Sequence, residues 1–475
     1  MRAVVTSLAA LLAVPVVAAA PAQAAPPTAA GAPGALSHYD LARKDCVGTA
    51  RNGTSKVWFT VANGVLSDVY APTIDNTNVE TLQYAVTDGS TFTDLQTRDM
   101  TYTASALDPT GMSCRVTSTP RRGGYTLVTD YLTDPQRDSV VMRTRLQGPG
   151  SLKLYVRYDA TVNGNGGGGP ANGGADDATV DPATTALVSS DTNTVTNAVN
   201  RDYGVPLFGA LRADRPFLAA TSGYAGTPSD GLAQLDANHA LGPITPNAPQ
   251  GNVVQTAQLD RRGNSPVTLA LGYGQTAAAA VGTAGASART SFGSTMARYV
   301  AGWVGYDARL KRPPLRLAGL STAQTLKLAQ QYYLSVNVVK ASEDKTFPGA
   351  IAAGLGSPWG QAVSAGDLPD GKPVYFGSYR EVFARDLYEA FTGLLTAGDV
   401  ATARATTRFL FERQQLADGR MPRNSLVNGK KAPDTGGDQL DETSYPILMA
   451  WQSGLAGDRA LYRDHIKKAA DFVVA

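Results

Sequence analysis

The sequence has few residues of the kinds that build metal centres or charged docking surfaces. Its 475 residues include three His and two Cys, too few for a zinc or iron–sulfur cluster. Only 17% of the residues are charged, and 42 basic side chains nearly balance 40 acidic ones. This balance gives no electrostatic attraction to nucleic acid or to an anionic membrane. We therefore expect a polar, largely uncharged ligand, with no nucleic-acid or membrane partner and no catalytic metal.

The N-terminus has the pattern of a secretory signal peptide over residues 1–24. Arg2 precedes an apolar run that Pro15 interrupts, and Ala22-Gln23-Ala24 forms a cleavage site. An uncleaved membrane anchor is the alternative, although the run is barely long enough to span a bilayer. The pattern predicts a secreted, extracellular protein. In that oxidising compartment Cys46 and Cys114 are expected to form a disulfide worth roughly 4 kcal/mol, with two buried free thiols as the alternative.

Residues 25–300 are predicted to form an antiparallel β super-sandwich. Leu152, Leu154, Val156 and Tyr158 alternate with Lys153, Tyr155, Arg157 and Asp159, which predicts one buried face and one solvent face. Short segments of this kind recur between Asn-Gly, Asp-Gly and Gly-Gly turn signals. The glycine-rich stretch 163–177 is predicted to be a loop. No cofactor is required, although the Gly-Gly-Ala-Asp-Asp end of this loop leaves a structural calcium ion open.

After a linker at residues 301–320, the hydrophobic period becomes helical over 321–475. Ser321 and Gln324 have the spacing of a helix N-terminal cap. Gly398-Asp399 and Gly457-Asp458 each place Gly where a helix would end and Asp where the next would begin. This layout predicts stacked helical hairpins. About five helices are predicted, and the last reaches Ala475 without a stop signal, so we expect the helical domain to be incomplete at its C-terminus.

Two pairs of charged residues open predicted helices and are candidates for chemistry. Arg385-Asp386 lies near the aromatic residues Tyr375, Phe376 and Tyr379, a combination suited to binding a sugar. Asp441 and Glu442 are adjacent, and adjacent helical residues point about 100° apart, so only one can act as an acid on a given bond. On spacing alone, an N-terminal Asp beside a surface Arg explains the first pair equally well, and ordinary acids at a helix N-terminus are the favoured explanation of the second.

Trp359 lies between Pro358 and Gly360 in a predicted loop. A Trp in that setting suits a stacking platform for a sugar ring, and a Trp that fills the core is equally compatible.

Several ordered segments resemble the bacterial glucoamylase and glucodextranase family of glycoside hydrolases. In the helical part these are Ser342–Ala350, Pro358–Gly360, Arg385–Tyr388, Asp418–Ser425 and Gln439–Glu442. In the first part they are Ala42–Ala50 and Asp68–Asp75. The resemblance implies that the helical part is a partial (α/α)6 toroid whose loops bind the non-reducing end of an α-glucan or dextran-type oligosaccharide.

The same resemblance implies residue roles and a reaction. Glu442 would be the general acid of an inverting exo-hydrolase that releases β-glucose from α-1,4 or α-1,6 linkages. Arg385 and Asp386 would hold hydroxyls of the terminal glucose, with Trp359 in or near the site. Tyr379 is a candidate for sugar binding because it is an aromatic residue close to Arg385-Asp386 in the sequence. Inversion needs a second carboxylate about 6.5–9.5 Å from the first, and we expect this general base to be missing from the chain.

Two other functions remain open at this point. One is an inactive or carbohydrate-binding fragment of such an enzyme, and the other is an inverting disaccharide phosphorylase, which the secretion signal disfavours. A monomer is expected in each case.

Overall fold

The structure, a computed structural model, describes residues 26–32, 34, 43–164, 176–192, 206–355, 380–432 and 437–475. The expected signal peptide lies outside these ranges. Across the described ranges, no helix is both long and apolar enough to cross a bilayer.

Two antiparallel sheets make up the first part of the molecule. Within the described residues, the strands are β1 (Cys46–Thr49), β2 (Trp58–Ala62), β3 (Val65–Tyr70), β4 (Thr77–Thr87), β5 (Thr93–Leu95), β6 (Met100–Ala106), β7 (Cys114–Pro120), β8 (Thr126–Thr133), β9 (Ser139–Gln147), β10 (Lys153–Gly164), β11 (Asp176–Val180), β12 (Leu187–Asp191), β13 (Leu207–Ala213), β14 (Ala219–Tyr224), β15 (Asn247–Gly251), β16 (Val253–Gln258) and β17 (Val267–Gly274). One sheet has the order β1-β2-β3-β4-β10-β16-β14, with β5 paired to β4. The other has the order β15-β11-β12-β13-β17-β9-β8-β7-β6. This confirms the predicted sandwich.

The sheets pack face to face over one large apolar core, to which β2, β4, β8, β9, β10 and β17 all contribute side chains. A disulfide between Cys46 on β1 and Cys114 on β7 joins the two sheets. The disulfide therefore links strands whose main-chain hydrogen bonds belong to different sheets.

Strand β10 differs from its prediction, because both of its faces are buried. Tyr155, Arg157 and Asp159, which were expected to face solvent, are each less than a tenth exposed. The helix of residues 231–238 covers this side of the sheet, and Arg157 forms ion pairs with Asp159 and Asp230 at 2.7 and 2.8 Å. The alternating polar residues do not form a solvent face here, because they form ion pairs with one another inside the protein.

The described helices are α1 (Gln96–Asp99), α2 (Gly231–Asn238), α3 (Ala277–Arg289), α4 (Phe292–Asp307), α5 (Thr322–Ala341), α6 (Ala384–Ala397), α7 (Val400–Phe409), α8 (Leu440–Gln452), α9 (Arg459–Leu461) and α10 (Lys467–Val474). A π-helical turn extends α7 over Leu410–Gln414, and another joins α9 to α10 over Tyr462–Ile466. Helix α4 crosses the boundary expected at residue 300, so the first part of the expected linker 301–320 is helical.

Most of the predicted capping residues lie at the observed helix ends. Ser321 and Gln324 form a reciprocal capping box at the start of α5. Gly398 ends α6 in the left-handed conformation, and the Asp399 side chain caps α7. Asp458 caps α9 as predicted, but the left-handed residue after α8 is Gly454, so the prediction for Gly457 was wrong by one turn.

The helical part packs directly on the sandwich through buried aromatic residues. Nε1 of Trp58 donates to the carbonyl of Ala341 at 2.9 Å, and the hydroxyl of Tyr70 donates to the carbonyl of Leu355 at 2.6 Å. In the reverse direction, Nε1 of Trp303 donates to the carbonyl of Thr49 at 2.9 Å. These bonds satisfy polar tips that would otherwise be buried unpaired, and they fix the start of the helical array relative to the sheets.

Candidate active site

Helices α6 and α8 pack against each other, with Arg385 and Glu442 each in the first turn of its helix. Neither helix has a side-chain cap of its own, so backbone N–H groups of the first turn need other acceptors. One of them, the N–H of Arg385, donates to Oε2 of Glu442 at 2.9 Å. The carboxyl of one helix thus caps the N-terminus of the other, which brings two of the predicted site residues together.

Glu442 is fully buried. Its Oε1 atom has no hydrogen-bond partner among the described residues. Burial raises the pKa of Glu442 from its ordinary value of 4.5 to about 7, although the N–H and the charge of Arg385 act in the opposite direction. Removal of the charged form from water outweighs these favourable contacts. The carboxyl can therefore carry a proton near neutral pH, and one of its oxygens makes no hydrogen bond to the part of the chain that the structure describes.

The Arg385 guanidinium lies between the two acids of α8. Its Nη1 atom donates to Oδ2 of Asp441 at 2.7 Å and to Oε1 of Gln439 at 3.2 Å. Its Nη2 atom is 3.6 Å from Oε1 of Glu442. Asp441 is about 40% exposed, whereas Glu442 is fully buried. The structure therefore separates the two adjacent acids, and the buried Glu442 is the one suited to proton transfer.

Asp386 points in a different direction from Arg385, as expected for neighbours on a helix. It is partly buried, and this burial raises the pKa of its carboxyl. Asp386 lines a cavity of about 610 Å³ between the sandwich and helices α5 and α6. The described lining is mostly aliphatic and includes neither Arg385 nor Glu442.

The connections that precede α6 and α8 are tied together. Val382 and Ser425 exchange backbone hydrogen bonds of 2.9 Å in both directions. Beside them, the amide of Asn424 donates to the carboxylate of the buried Glu381. The side chain of Gln414 donates to the carbonyl of Val382 at 3.0 Å. These bonds hold the connecting loops at the same end of the array as Glu442.

Trp359 and Tyr379, the two aromatic candidates, lie outside the described residues. Sequence reasoning missed Asp441 and Gln439 as partners of Arg385, because their contact depends on how α6 packs against α8. In the part of the chain that the structure describes, no three His, Cys, Asp or Glu side chains are grouped so that they could hold a metal ion.

The raised pKa of Glu442 makes the stability of the protein depend on pH. Between pH 4.5 and about 7 the folded state keeps a proton that the unfolded chain releases, so the free energy of unfolding falls as the pH rises through this window. Glu442→Gln removes this titration. We expect the variant to match the parent protein at pH 4 and to exceed it by up to about 3 kcal/mol at pH 8.

Urea unfolding at the two pH values measures this difference. An unchanged difference between parent and variant at pH 4 and pH 8 would contradict a buried carboxyl that binds its proton more tightly after folding.

Comparison with known proteins agrees with this architecture. The family described as "Glucodextranase, domain N" matches residues 29–308. A glucoamylase of Clostridium sp. (strain G0005) is 29% identical over 446 residues, which are 93% of this chain and 57% of that protein. A bacterial glucoamylase whose structure was solved with acarbose superposes with a TM-score of 0.79 at 28% identity, over 94% of this chain and 60% of that one.

A more distant structure shares the fold alone. The inverting mannosidase of family GH92 from Bacteroides thetaiotaomicron VPI-5482 has a TM-score of 0.50 and 11% identity, over 92% of this chain and 52% of its own. The chain therefore spans between half and two thirds of each of these relatives. Since the matched family covers more than half of the chain, the chain belongs to the glucodextranase N-domain family.

Proposed function

We propose that the protein is a secreted α-glucan hydrolase of the glucoamylase and glucodextranase type. It would release β-glucose from non-reducing ends of α-1,4- or α-1,6-linked glucans with inversion at the anomeric carbon. The observation that carries the proposal is Glu442, a fully buried carboxyl with a pKa of about 7 and one oxygen without a hydrogen bond within the described residues. The relatives named glucoamylase support the choice of substrate.

In this mechanism the carboxyl of Glu442 is protonated before the reaction. Oε2 accepts from the N–H of Arg385, which fixes the carboxyl plane and leaves the proton on Oε1. Oε1 then donates this proton to the glycosidic oxygen as the bond to the anomeric carbon breaks. Oε2 keeps its backbone hydrogen bond throughout, so the carboxylate that forms is stabilised by a donor already in place.

Sugar binding is assigned to groups around this carboxyl. Asp386 accepts hydroxyl protons of the terminal glucose, and the guanidinium of Arg385 donates to its oxygens. Trp359, as the family resemblance implies, and Tyr379, an aromatic residue close to Arg385 in the sequence, complete the binding site in this proposal. An inverting reaction also needs a base that activates water, and we assign that role to no residue of this chain.

The test is the anomer of glucose that the natural full-length protein releases. We expect maltooligosaccharides or dextran to yield β-glucose first, followed by mutarotation, when the products are observed by ¹H NMR during the first turnovers. Initial α-glucose, or no glucose from either substrate, would overturn the proposal.

A carbohydrate-binding role for the 475-residue chain by itself is the second candidate. The observation that favours it is the extent of the match, because the chain covers only 57% and 60% of the two glucoamylases. Calorimetry with maltoheptaose, combined with a glucose assay on the same sample, separates the two functions. Binding without glucose release supports the second candidate, and sustained release rejects it.

A further inference from the structure

The guanidinium of Arg385 has two carboxylates within reach and hydrogen-bonds to only one of them. The Nη1–Oδ2 distance to Asp441 is 2.7 Å, whereas the Nη2–Oε1 distance to Glu442 is 3.6 Å. The first is a charge-assisted hydrogen bond and the second is too long to be one. Gln439 accepts a further hydrogen bond from Nη1, so Asp441 and Gln439 both bind Arg385 through its Nη1 atom.

The choice of Asp441 over Glu442 as the hydrogen-bond partner of Arg385 matters because Glu442 must keep its proton to act as an acid. A hydrogen-bonded Arg at the carboxyl would favour its charged form and lower its pKa by about 1–3. It would also occupy Oε1, the oxygen that has no partner within the described chain. The contact that Asp441 makes therefore preserves the proton of Glu442 and keeps the guanidinium from occupying Oε1.

We propose that Asp441 is a positioning residue, which binds the guanidinium of Arg385 and prevents it from forming a hydrogen-bonded ion pair with Glu442. The inference rests on the proposed function, because it gives Asp441 a part in the same site. Asp441 itself does not touch the reacting atoms in this arrangement. It acts on Glu442 only through Arg385, whose backbone and side chain contact both acids of α8.

The charges around Glu442 set the expected direction of the effect. Arg385 on α6 lowers the pKa of Glu442, while Asp386 on α6 and Asp441 on α8 raise it. In Asp441→Asn, one negative charge is lost and the guanidinium is released toward Glu442. Both changes favour ionisation of Glu442.

Several charged groups on neighbouring elements are bound elsewhere. Asp438, in the loop before α8, pairs with Arg420 and Lys431 at 2.8 and 3.4 Å. On α7, Arg404 donates to the carbonyl of Ser453 at the far end of α8. On α10, Lys467 and Asp471 pair with each other.

The experiment is a titration of the Glu442 carboxyl by ¹³C NMR, with its signal assigned by difference from Glu442→Gln. In Asp441→Asn we expect the pKa of Glu442 to fall by about 1 or more, which means about tenfold less protonated acid at pH 8. In Asp441→Glu, whose carboxylate can still bind Arg385, we expect the pKa of Glu442 to lie close to its parental value. Asp464→Asn is the matched control, because Asp464 forms an exposed pair with the adjacent Arg463 and leaves Glu442 unchanged.

A second pair of variants tests whether the effect passes through Arg385. In Arg385→Met, and in the double variant with Asp441→Asn, we expect a pKa of Glu442 at or above the parental value, because the cation is absent. An unchanged pKa in Asp441→Asn overturns the inference, and so does a pKa of Glu442 below the parental value in the double variant. In the full-length enzyme, the alkaline limb of kcat/KM should move to lower pH in Asp441→Asn.

The titration requires no turnover, so it decides the inference even if the protein releases no glucose. Glucose release with an unmoved titration would reject the role of Asp441 alone and leave the proposed function in place.

Discussion

Glu442→Gln is expected to lower kcat for maltooligosaccharide hydrolysis by about 10²–10⁴-fold, with little change in KM. Gln has the shape of Glu and can still accept the N–H of Arg385, so the α6–α8 contact is preserved. It cannot donate an acidic proton to the glycosidic oxygen. The loss should therefore appear in the chemical step and leave substrate binding nearly intact.

A substrate whose leaving group needs no proton tests this prediction more specifically. Fluoride needs no proton to depart, so hydrolysis of α-glucosyl fluoride by Glu442→Gln should fall far less than hydrolysis of maltose. Steady-state kinetics of the full-length enzyme on both substrates measure the difference. Glu389→Gln, at an exposed position on the same helix as Arg385, serves as the matched control and should retain parental rates.

Two results would remove Glu442 from its assigned role. Parental turnover of maltose by Glu442→Gln would show that another group supplies the proton. An equal loss on both substrates would show that the substitution damages binding or folding instead of proton donation.

The sequence predicted the order of the architecture because periodicity is a local property. The alternation of residues 152–158 marked a strand, and the cap residues Ser321 and Asp399 marked helix starts that the structure confirms. Solvent exposure was less predictable. The alternating pattern predicted Arg157 and Asp159 on the surface. They are buried because Asp230, from a distant part of the chain, forms an ion pair with Arg157.

The candidate site was predictable only as separate pieces. The resemblance to glycoside hydrolases singled out Arg385 and Glu442, and helical geometry indicated that Asp441 and Glu442 could not share a role. Which acid is buried depends on the packing of α6 against α8, and so does the contact between Arg385 and Asp441. These partners are 56 residues apart in the chain, so no local pattern could reveal them.

Lys345, at the interface between the sandwich and the helices, also has partners that no local sequence pattern could reveal. It lies within a segment, Ser342–Ala350, that supported the family resemblance, but its partners are at least 290 residues away in sequence. Its Nζ atom donates to Oγ1 of Thr49 at 2.6 Å and to the carbonyls of Ala50 and Ser55 at 2.7 and 2.5 Å. The adjacent Asp344 accepts the N–H of Ile74 at 2.9 Å.

The ammonium of Lys345 has three protons and finds three oxygen acceptors. It also lies 5.0 Å from the centre of the Trp58 ring. Burial lowers the pKa of Lys345 to about 7, so the group is charged at pH 6 and binds all three oxygens there. One side chain of the helical part thus satisfies a small cluster of acceptors at the interface between the sandwich and the helices.

Lys345→Met is expected to reduce the free energy of unfolding by about 3 kcal/mol at pH 6, because it leaves buried oxygens without donors. Urea unfolding followed by Trp fluorescence measures the loss. Lys327→Met, at an exposed position on α5, should stay within about 0.5 kcal/mol of the parent. Hydrogen exchange at the N–H of Ile74, which Asp344 accepts, should also speed up in Lys345→Met. Parental unfolding together with parental exchange would mean that the aromatic contacts alone hold the two parts together.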